Sequence, residues 1–321
     1  PYDLNSNNFH FDTEIIIQLV FSGQRITELP IPTYYGTEIC HVNGVGYAYK
    51  VVTTTVKASM QKYSLLYDRK FDCSVQDLLY KPKFHYTSPH SIALRNVKKG
   101  SRVLDIGCAG GYVSEKLRKN KKCRIFGLDH LTPQQSDIFE GFICCDLDQG
   151  LPSKTPKKFD EILMLDVLEH LSNPENFLFS LKEHFKYNQA IIIHTSTGNV
   201  AFFATRILHM LGMFNYGKKG ILDITHKRLF TRQTFVNLFE QNGFKVRRIE
   251  PVPGPWQMLF GDGVIGKTLT SINTALCKML PTIFAYQFFL TVEPNPHLDQ
   301  LLKNAEAISK KKRLRLRKKK S

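Results

Sequence analysis

Val103-Leu104-Asp105-Ile106-Gly107-Cys108-Ala109-Gly110-Gly111 is the stretch that decides the fold of this chain. It starts as a short apolar run and ends in small residues, after which Tyr112 opens a helical segment. Small residues at the end of a strand let a ligand approach the backbone closely. The stretch therefore predicts a strand, a tight loop and a helix, with a ligand site at the carboxyl end of the strand.

Short apolar segments alternate with amphipathic segments on the C-terminal side of this loop. The predicted strands are 102–106, 123–128, 142–145, 159–165, 189–195, 244–250 and 285–292. Strands that alternate with helices are typical of a parallel sheet covered by helices on both faces. We therefore predict an α/β fold, a Rossmann-like seven-stranded and mostly parallel sheet.

The loop departs from a dinucleotide-binding site. Such a site would have glycines at positions 107, 109 and 112, and the chain has Gly107, Ala109 and Tyr112. The third glycine allows close packing of helix on strand, so Tyr112 argues against an NAD-dependent oxidoreductase. Asp105, inside the strand end, fits S-adenosylmethionine (SAM) better, because SAM carries an ammonium and a sulfonium where a dinucleotide carries a pyrophosphate.

Carboxylates follow three successive predicted strands. Asp129, at the end of the second strand, is suited to accept hydrogen bonds from ribose hydroxyls. Asp146, after the third strand, can receive the adenine amino group, with Leu147 packing on the ring. One such carboxylate is commonly a turn or cap residue, but three in this order, with Asp105 as the first, predict a nucleoside site.

These motifs resemble those of the class I SAM-dependent methyltransferases. Segment 105–111 is similar to the first motif of that family, 146–152 to its adenine segment and 165–171 to the segment after its fourth strand. The resemblance covers about residues 84 to 294 and implies SAM as the cofactor. It also implies that segment 85–90 is an N-terminal cover over the cofactor.

We predict eleven cofactor-binding residues from this resemblance and from the loop. They are Asp105, Gly107, Cys108, Ala109, Gly111, Tyr112, Asp129, His130, Asp146, Leu147 and Asp166. Ala109 replaces the usual middle glycine of the family, which adds one methyl group. We expect cofactor binding to survive this change, because the other glycines are kept.

Three residues are candidates for a base that helps a hydroxyl acceptor: His170, Glu169 and His226. Asp166, Glu169 and His170 also have the i, i+3, i+4 spacing of one helical face. Matching residues hold a divalent cation in some quinone-pathway O-methyltransferases that this segment resembles. Capping and packing of the helix by Glu169 and His170 is nevertheless favoured over a metal site.

The apolar segment 199–214 and the basic loop after it follow the fifth predicted strand, where related enzymes build the acceptor pocket. An amphipathic lid and an ordinary core helix both fit this segment. Thr231 is predicted to cap a helix at 232–242 that Gly243 ends.

The N-terminal part has a different character. It contains a predicted helix at 12–23, a short strand at 25–30 and a helix at 47–67. Segments 9–17 and 23–32 resemble the closing portion of family 2 glycosyltransferases, most closely the polyprenyl-phosphate sugar transferases. The order along the chain is similar to that of bacterial bifunctional glycosyltransferase/methyltransferase proteins, truncated at the N-terminus.

This resemblance implies a domain order and a class of acceptor. Residues 1–72 would be a small α/β remnant of a GT-A glycosyltransferase domain, 73–100 a linker and cofactor cover, 101–294 the methyltransferase domain and 295–321 a basic tail. The nucleotide-sugar site would precede Pro1, so we do not expect this chain to transfer sugars. The expected methyl acceptor is a glycan, a lipid-linked sugar or a small hydroxylated molecule.

Charge and cysteine usage indicate the compartment. The net charge is +16, and residues 310–321 carry nine Lys and Arg and no acid. Such a tail can contact anionic lipid or bind nucleic acid nonspecifically, and a solubilising role fits as well. Specific nucleic-acid binding is not expected. Seven cysteines without Cys-x-x-Cys spacing indicate reduced thiols. We predict a cytoplasmic protein, with peripheral contact at the inner membrane face as a further hypothesis.

One further alternative is a non-catalytic Rossmann-like domain that binds a membrane or a protein partner. The composition of the chain, 42% hydrophobic, fits any folded domain and does not decide between the hypotheses. The retention of Asp105, Asp129 and Asp146 argues against it, because a domain released from cofactor binding has no evident need for them.

Overall fold

The computed structural model describes residues 2–32, 36, 42–62, 66–73, 84, 86–133, 136–186, 188, 190–261, 263–296 and 302. The chain divides into two compact units. The first unit contains Pro1–Lys81 and Ala204–His226, and the second contains Pro82–Phe203 and Lys227–Ser321.

The second unit is built on a seven-stranded sheet. Its strands are β1 Arg102–Ile106, β2 Arg124–Asp129, β3 Gly141–Cys144, β4 Glu161–Leu165, β5 Ile192–Gly198, β6 Phe244–Val252 and β7 Gln287–Pro294. The strand order is β3-β2-β1-β4-β5-β7-β6, with β7 antiparallel to both of its neighbours and the first five strands parallel. The predicted fold class, a mostly parallel Rossmann-like sheet, is confirmed.

Helices connect the strands. In chain order they are α1 Phe11–Phe21, α2 Gly44–Lys62, α3 Pro89–Asn96, α4 Tyr112–Lys121, α5 Pro174–His184, α6 Phe203–Met210, α7 Arg232–Gln241, α8 Trp256–Phe260, α9 Val264–Met279 and α10 Pro281–Phe284. The predicted cap of α7 is confirmed, because the Thr231 hydroxyl accepts the Thr234 N–H in a capping box. No helix in the described part of the chain is both long and apolar enough to cross a bilayer.

The sheet is buried on both faces. Leu104 and Ile106 of β1 pack in one hydrophobic cluster, and Val103 of the same strand packs in the other. Successive side chains of a strand point to opposite faces, so this division shows a layer of helices on each side. In an open sheet of this kind, ligands bind outside the carboxyl ends of the strands, where the strand order reverses between β1 and β4.

The described residues of the first unit form helices. Residues 24–32 have no regular secondary structure, so the predicted strand at 25–30 is wrong, and with it the α/β character expected of residues 1–72. A strand satisfies its backbone N–H and C=O groups through a neighbouring strand, and the described residues of this unit form none.

The compact units differ from the predicted domains in one segment. Residues 204–226 group with the N-terminal residues, although the prediction placed them inside the methyltransferase domain at 101–294. The predicted boundaries otherwise stay a prediction. The basic tail at 310–321 lies outside the described residues.

Candidate cofactor and active site

The loop after β1 turns through three left-handed residues. Gly107 has a φ of 71°, Ala109 of 46° and Gly111 of 74°. A Cβ at position 107 would lie 2.5 Å from Cγ2 of Val167, so this position accepts only glycine without rearrangement. The Gly107 N–H donates to the Leu128 carbonyl at 2.7 Å, which ties the loop to β2.

The loop leads directly into α4. Tyr112 is its first residue, and the Tyr112 ring lies across Gly110, where an added Cβ would come within 2.7 Å of the ring. Cys108 is buried in this loop, and burial raises the pKa of its thiol strongly, so the thiol stays protonated. The loop therefore presents mainly backbone, as predicted for close approach of a ligand.

Asp105 lies beneath the loop. Its side chain is buried and accepts a hydrogen bond from the Ser114 hydroxyl at 2.6 Å. Burial raises the pKa of Asp105 to about 6; the Ser114 hydrogen bond lowers it, and the nearby charge of Asp129 raises it further. Asp105 thus titrates just below neutral pH, and a cation at the loop would favour its ionised form.

Asp129 joins the end of β2 to the loop. Its Oδ2 accepts the Ala109 N–H at 2.7 Å, and its Oδ1 accepts the Leu131 N–H at 3.0 Å. Nδ1 of the exposed His130 is 2.9 Å from the same Oδ1. The carboxylate is buried and already holds the backbone of the loop, while its remaining lone pairs are those that ribose hydroxyls would use.

Asp146 lies at the neighbouring strand end. β2 and β3 are paired with Asp129 opposite Cys144, so Asp129 and Asp146 share one edge of the sheet. Asp146 is exposed and caps a short 3-10 helix, Leu147–Gln149, by accepting the Asp148 N–H at 2.9 Å. Leu147 is half-buried against the main core. The structure therefore brings Asp105, Asp129 and Asp146 to adjacent strand ends, as predicted.

A second polar cluster lies after β4. Asp166 has a left-handed φ of 54°, which costs a residue with a side chain of order 1 kcal/mol and needs support from its surroundings. Oδ1 of Asp166 accepts the Ser196 hydroxyl at 2.7 Å and the Gln287 side-chain amide at 3.0 Å. Strain held by buried donors is typical of functional sites. Ser196 and Gln287 were not predicted as site residues, because neither belongs to a recognisable sequence motif.

Tyr86 belongs to this second cluster. Burial raises the pKa of its half-buried phenol, and the negative charge of Asp166 raises it further. The predicted cover segment therefore contains a phenol whose pKa responds to the charge of Asp166. His85, in the same predicted segment, lies outside the described residues.

The less favoured alternative, a metal site on one helical face, lacks that face in the structure. Leu168–His170 is a single 3-10 turn, and Asp166 precedes it with a left-handed backbone, so Asp166, Glu169 and His170 do not share a helical face. Within the described residues, no three His, Cys, Asp or Glu side chains are grouped to hold a metal ion. The i, i+3, i+4 spacing failed as a predictor because it presumed a continuous α-helix.

Glu169 is a poor candidate for a base. It is 2% exposed, and its Oε2 has no hydrogen-bond partner among the described residues. Burial, and then the charge of Asp166, hold the pKa of Glu169 well above its usual range, which favours its protonated form. Its carbonyl accepts the N–H groups of Lys227 and Arg228 at 2.8 and 3.1 Å, which fixes the turn.

The two candidate histidines lie in different units. His170 ends the 3-10 turn in the second unit and is half-buried. His226 belongs to the first unit, where its Nδ1 is 3.0 Å from the Ile221 carbonyl. Because a carbonyl only accepts, this contact places a proton on Nδ1. His170 is thus the candidate that shares a unit with Asp166.

The residues at the carboxyl ends of the strands fit SAM. The left-handed glycines leave a loop free of bulky side chains, Asp105 supplies negative charge beneath it, and Asp129 and Asp146 supply acceptors along its edge. A sulfonium and an ammonium are favoured here, whereas a pyrophosphate would face these carboxylates.

The chain is similar to known methyltransferases. The family profile described as "Methyltransferase domain" matches residues 82–249. The ubiquinone biosynthesis O-methyltransferase of Azorhizobium caulinodans is 32% identical over 174 residues, which cover 50% of this chain and 67% of that protein. The mitochondrial ubiquinone biosynthesis O-methyltransferase of Schizosaccharomyces pombe is 32% identical over 111 residues, 32% of this chain and 40% of that protein.

A solved SAM-dependent methyltransferase from Archaeoglobus fulgidus is 20% identical, with a TM-score of 0.42, and the match covers 64% of this chain and 92% of that one. The chain spans only 40% to 67% of the length of the two curated relatives named above. The family profile nevertheless matches more than half of the chain. This chain therefore belongs to the SAM-dependent methyltransferase family, with its methyltransferase domain at residues 82–249.

Proposed function

We propose that this chain transfers the methyl group of SAM to an oxygen atom of a small hydroxylated acceptor. The observation that carries the proposal is the strained Asp166, which Ser196 and Gln287 hold beside the β1 loop. Two curated relatives are named as O-methyltransferases, which supports oxygen as the acceptor atom.

The chemistry divides between cofactor and protein. SAM supplies a methyl carbon that is already activated for in-line displacement. The protein has to align the acceptor and exclude water. Asp166 uses Oδ1 to accept from Ser196 and Gln287, so Oδ2 is left to accept a hydrogen bond from a second polar group of the acceptor, one that is not methylated and keeps its proton. Tyr86, from the cover segment, adds a phenol at the same place.

Proton removal falls to His170 in this proposal. The raised pKa of Glu169 makes it better suited to donate a hydrogen bond than to remove a proton. His170 follows it at the end of the same turn and is only half-buried. A His170→Gln variant should therefore lower the transfer rate more at neutral pH than at high pH, where the acceptor ionises without a base.

Calorimetry and a transfer assay test the proposal in sequence. The protein should bind both SAM and S-adenosylhomocysteine, and a labelled-methyl screen against small phenols should give an O-methylated product. Asp166→Asn should reduce transfer strongly, whereas Asp137→Asn, at an exposed site in the same unit, should not. Binding without transfer to any acceptor would favour the non-catalytic hypothesis, and absence of binding would remove the SAM site.

The N-terminal resemblance adds a second class of acceptor to the screen. A glycan or lipid-linked sugar acceptor, and a family 2 glycosyltransferase origin for residues 1–72, rest on sequence segments 9–17 and 23–32 alone. Lipid-linked sugars therefore belong in the same screen. The cytoplasmic location and peripheral membrane contact likewise remain proposals, supported by the reduced-thiol pattern and the basic tail.

A further inference from the structure

We propose that the first unit contains a site for a phosphate group, separate from the methyltransferase site. A cavity of about 270 Å³ lies beside the amino end of α1, the middle of α2 and the 3-10 turn Arg69–Phe71. The polar groups that open to it and carry the argument are His10, Lys50, Thr53, Thr54 and Lys57.

One face of α2 supplies the cationic wall. Lys50, Thr53, Thr54 and Lys57 follow the i, i+3, i+4, i+7 spacing that places side chains on the same side of a helix. Two ammonium groups thus flank two hydroxyls. Lys50 and Lys57 are exposed and form no ion pair within the described residues, so their charge is not neutralised by the protein.

His10 supplies an unsatisfied group on the opposite wall. Its side chain is 7% exposed, and its Nε2 lies 3.2 Å from the Ser6 hydroxyl and 3.5 Å from Oε1 of Glu14. Its Nδ1 is buried and has no hydrogen-bond partner among the described residues. A buried polar atom without a partner costs about 1–3 kcal/mol. A rotation of the His10 ring that turned Nδ1 towards the cavity would let a bound phosphate oxygen remove this penalty.

Two acids, Glu14 and Asp68, also line the cavity and form hydrogen bonds within the unit. Glu14 forms an ion pair with Lys70 at 2.7 Å and accepts the Ser6 N–H at 2.7 Å. Burial acts to raise the pKa of Glu14, but these hydrogen bonds outweigh it and the pKa is lowered. Asp68 accepts the Lys70 N–H at 3.0 Å. Three lysines, Lys50, Lys57 and Lys70, and these two acids line the cavity, so its net charge is +1 (3 − 2), which favours an anion.

The walls are fixed before any ligand binds. Gln18, which is fully buried, exchanges hydrogen bonds with Asn5 at 2.7 and 2.9 Å and donates to the Lys70 carbonyl at 2.9 Å. These bonds connect α1 with the 3-10 turn across the cavity floor. A preformed site avoids the entropic cost of ordering side chains on binding. The two ammonium groups of α2 suit the several oxygens of a phosphate better than the two of a carboxylate.

A pair of charge-matched variants tests the site. Lys50→Gln/Lys57→Gln removes both α2 lysines that line the cavity, and Lys267→Gln/Lys278→Gln removes two exposed lysines of α9 in the second unit. The probes are inorganic phosphate, glucose 1-phosphate and vesicles that contain phosphatidic acid. We expect the cavity variant to lose about tenfold in affinity for the probe that binds, because charge-assisted hydrogen bonds are lost, and the α9 variant to match the parent.

The probes separate the sources of the phosphate. Binding of the soluble probes alone identifies a soluble phosphate ester, and binding of the vesicles alone identifies a lipid phosphate; either supports the site if it depends on the cavity lysines. The proposal is overturned if the parent binds none of the three probes, or if both variants lose affinity equally, since that would be unspecific charge attraction.

Two control measurements test whether the variants stay folded and whether phosphate binds at the cavity. Both lysine pairs are exposed, so the variants should keep the thermal stability of the parent, which circular dichroism checks. In addition, the ¹⁵N resonance of His10 Nδ1 should shift when phosphate binds to the parent. Phosphate binding that leaves this resonance unchanged would place the anion elsewhere and contradict the proposal.

Discussion

Asp105 couples folding to cofactor binding at the scale of one residue. Its pKa of about 6 in the folded protein exceeds the value of about 3.9 for an unperturbed Asp. A raised carboxyl pKa means that the folded state favours the protonated form, so this group costs stability as the pH rises from about 4 to about 6. The cost is then fully present at neutral pH.

Asp105→Asn should therefore stabilise the protein at neutral pH. The gain is on the order of 1–3 kcal/mol at pH 7 and vanishes near pH 4, where the carboxyl is protonated in both states. Denaturant unfolding at the two pH values measures it, with the exposed Asp146→Asn as control. A variant that is less stable than the parent at pH 7 would show that the ionised carboxylate contributes to folding.

The same titration should control SAM affinity. If the ionised Asp105 attracts the cationic groups of SAM, then SAM binds only to protein in which Asp105 is deprotonated. The affinity for SAM should therefore fall about tenfold per pH unit below pH 6. Calorimetry between about pH 5 and pH 8 measures the slope. In Asp105→Asn the affinity should be lower and nearly independent of pH; an unchanged slope in the variant would assign it to another group.

Gln287 is a positioning residue for Asp166. Gln287→Leu removes one of the two donors to Oδ1 and should lower kcat about tenfold with little effect on SAM affinity, because the residue contacts Asp166 and not the β1 loop. Gln287→Glu should lower kcat further, since it places a second carboxylate next to that of Asp166. A variant that loses SAM affinity and stability instead, with normal kcat, would assign Gln287 a structural role only.

At the scale of elements, the amino end of β4 is fixed by a buried carboxylate at the edge of the sheet opposite the active site. Glu161 accepts hydrogen bonds at 2.8 Å from the Lys98 N–H, the Ser101 hydroxyl and Nε2 of His194. Burial acts to raise the pKa of Glu161, but these donors outweigh it and the pKa is lowered. The cluster connects β4 with β5 and with the segment before β1.

Glu161→Ala should destabilise the second unit by about 3–5 kcal/mol, because it leaves the buried Ser101 hydroxyl, the buried His194 ring and the Lys98 N–H without their acceptor. Thermal unfolding measures the loss, and Glu115→Ala, which breaks only a surface pair with Lys119, should cost less than about 1 kcal/mol. A lowered pKa stabilises the folded state above the unfolded value of about 4.3, and this contribution should disappear as the pH falls below it. A loss equal to that of the control would contradict the assignment.

The elements also show what sequence patterns can predict. β1 begins and ends where the apolar run predicted, because one short stretch holds the strand, its small-residue end and the start of α4. The predicted strand at 25–30 is wrong, because a strand needs a neighbouring strand for its backbone hydrogen bonds, and the local sequence does not identify that neighbour. The single helical face considered for Asp166, Glu169 and His170 is absent, because Asp166 has a left-handed backbone conformation. The residue type of Asp166 does not predict this conformation.

At the scale of the molecule, the strand order decides which site residues were predictable. Asp105, Asp129 and Asp146 follow β1, β2 and β3, which are neighbours in both sequence and sheet. Ser196 and Gln287 reach Asp166 only because β5 lies beside β4 and β7 pairs antiparallel with β5. The carboxylates of the proposed nucleoside site could therefore be predicted from sequence motifs. The residues around Asp166, on the proposed acceptor side, are brought together only by the assembled sheet.

The distribution of charge over the whole chain gives a prediction about membranes. Residues 310–321 carry nine of the 44 Lys and Arg, and each basic residue near an anionic bilayer contributes about 1 kcal/mol at low ionic strength. A chain that ends after Ser309 should therefore bind phosphatidylserine vesicles much more weakly than the full chain. Its SAM affinity should be unchanged, because the matched domain at residues 82–249 is intact.

Vesicle sedimentation at two salt concentrations measures this effect. Binding of the full chain should weaken as salt rises, since exposed charges are screened beyond about 10 Å at 0.1 M salt. Binding of the shortened chain should be weak at both concentrations. If truncation leaves vesicle binding unaltered, the attraction comes from the remaining 35 Lys and Arg or from apolar surface such as the exposed Val264, Ile265 and Ile272 of α9, and the tail has no role in it.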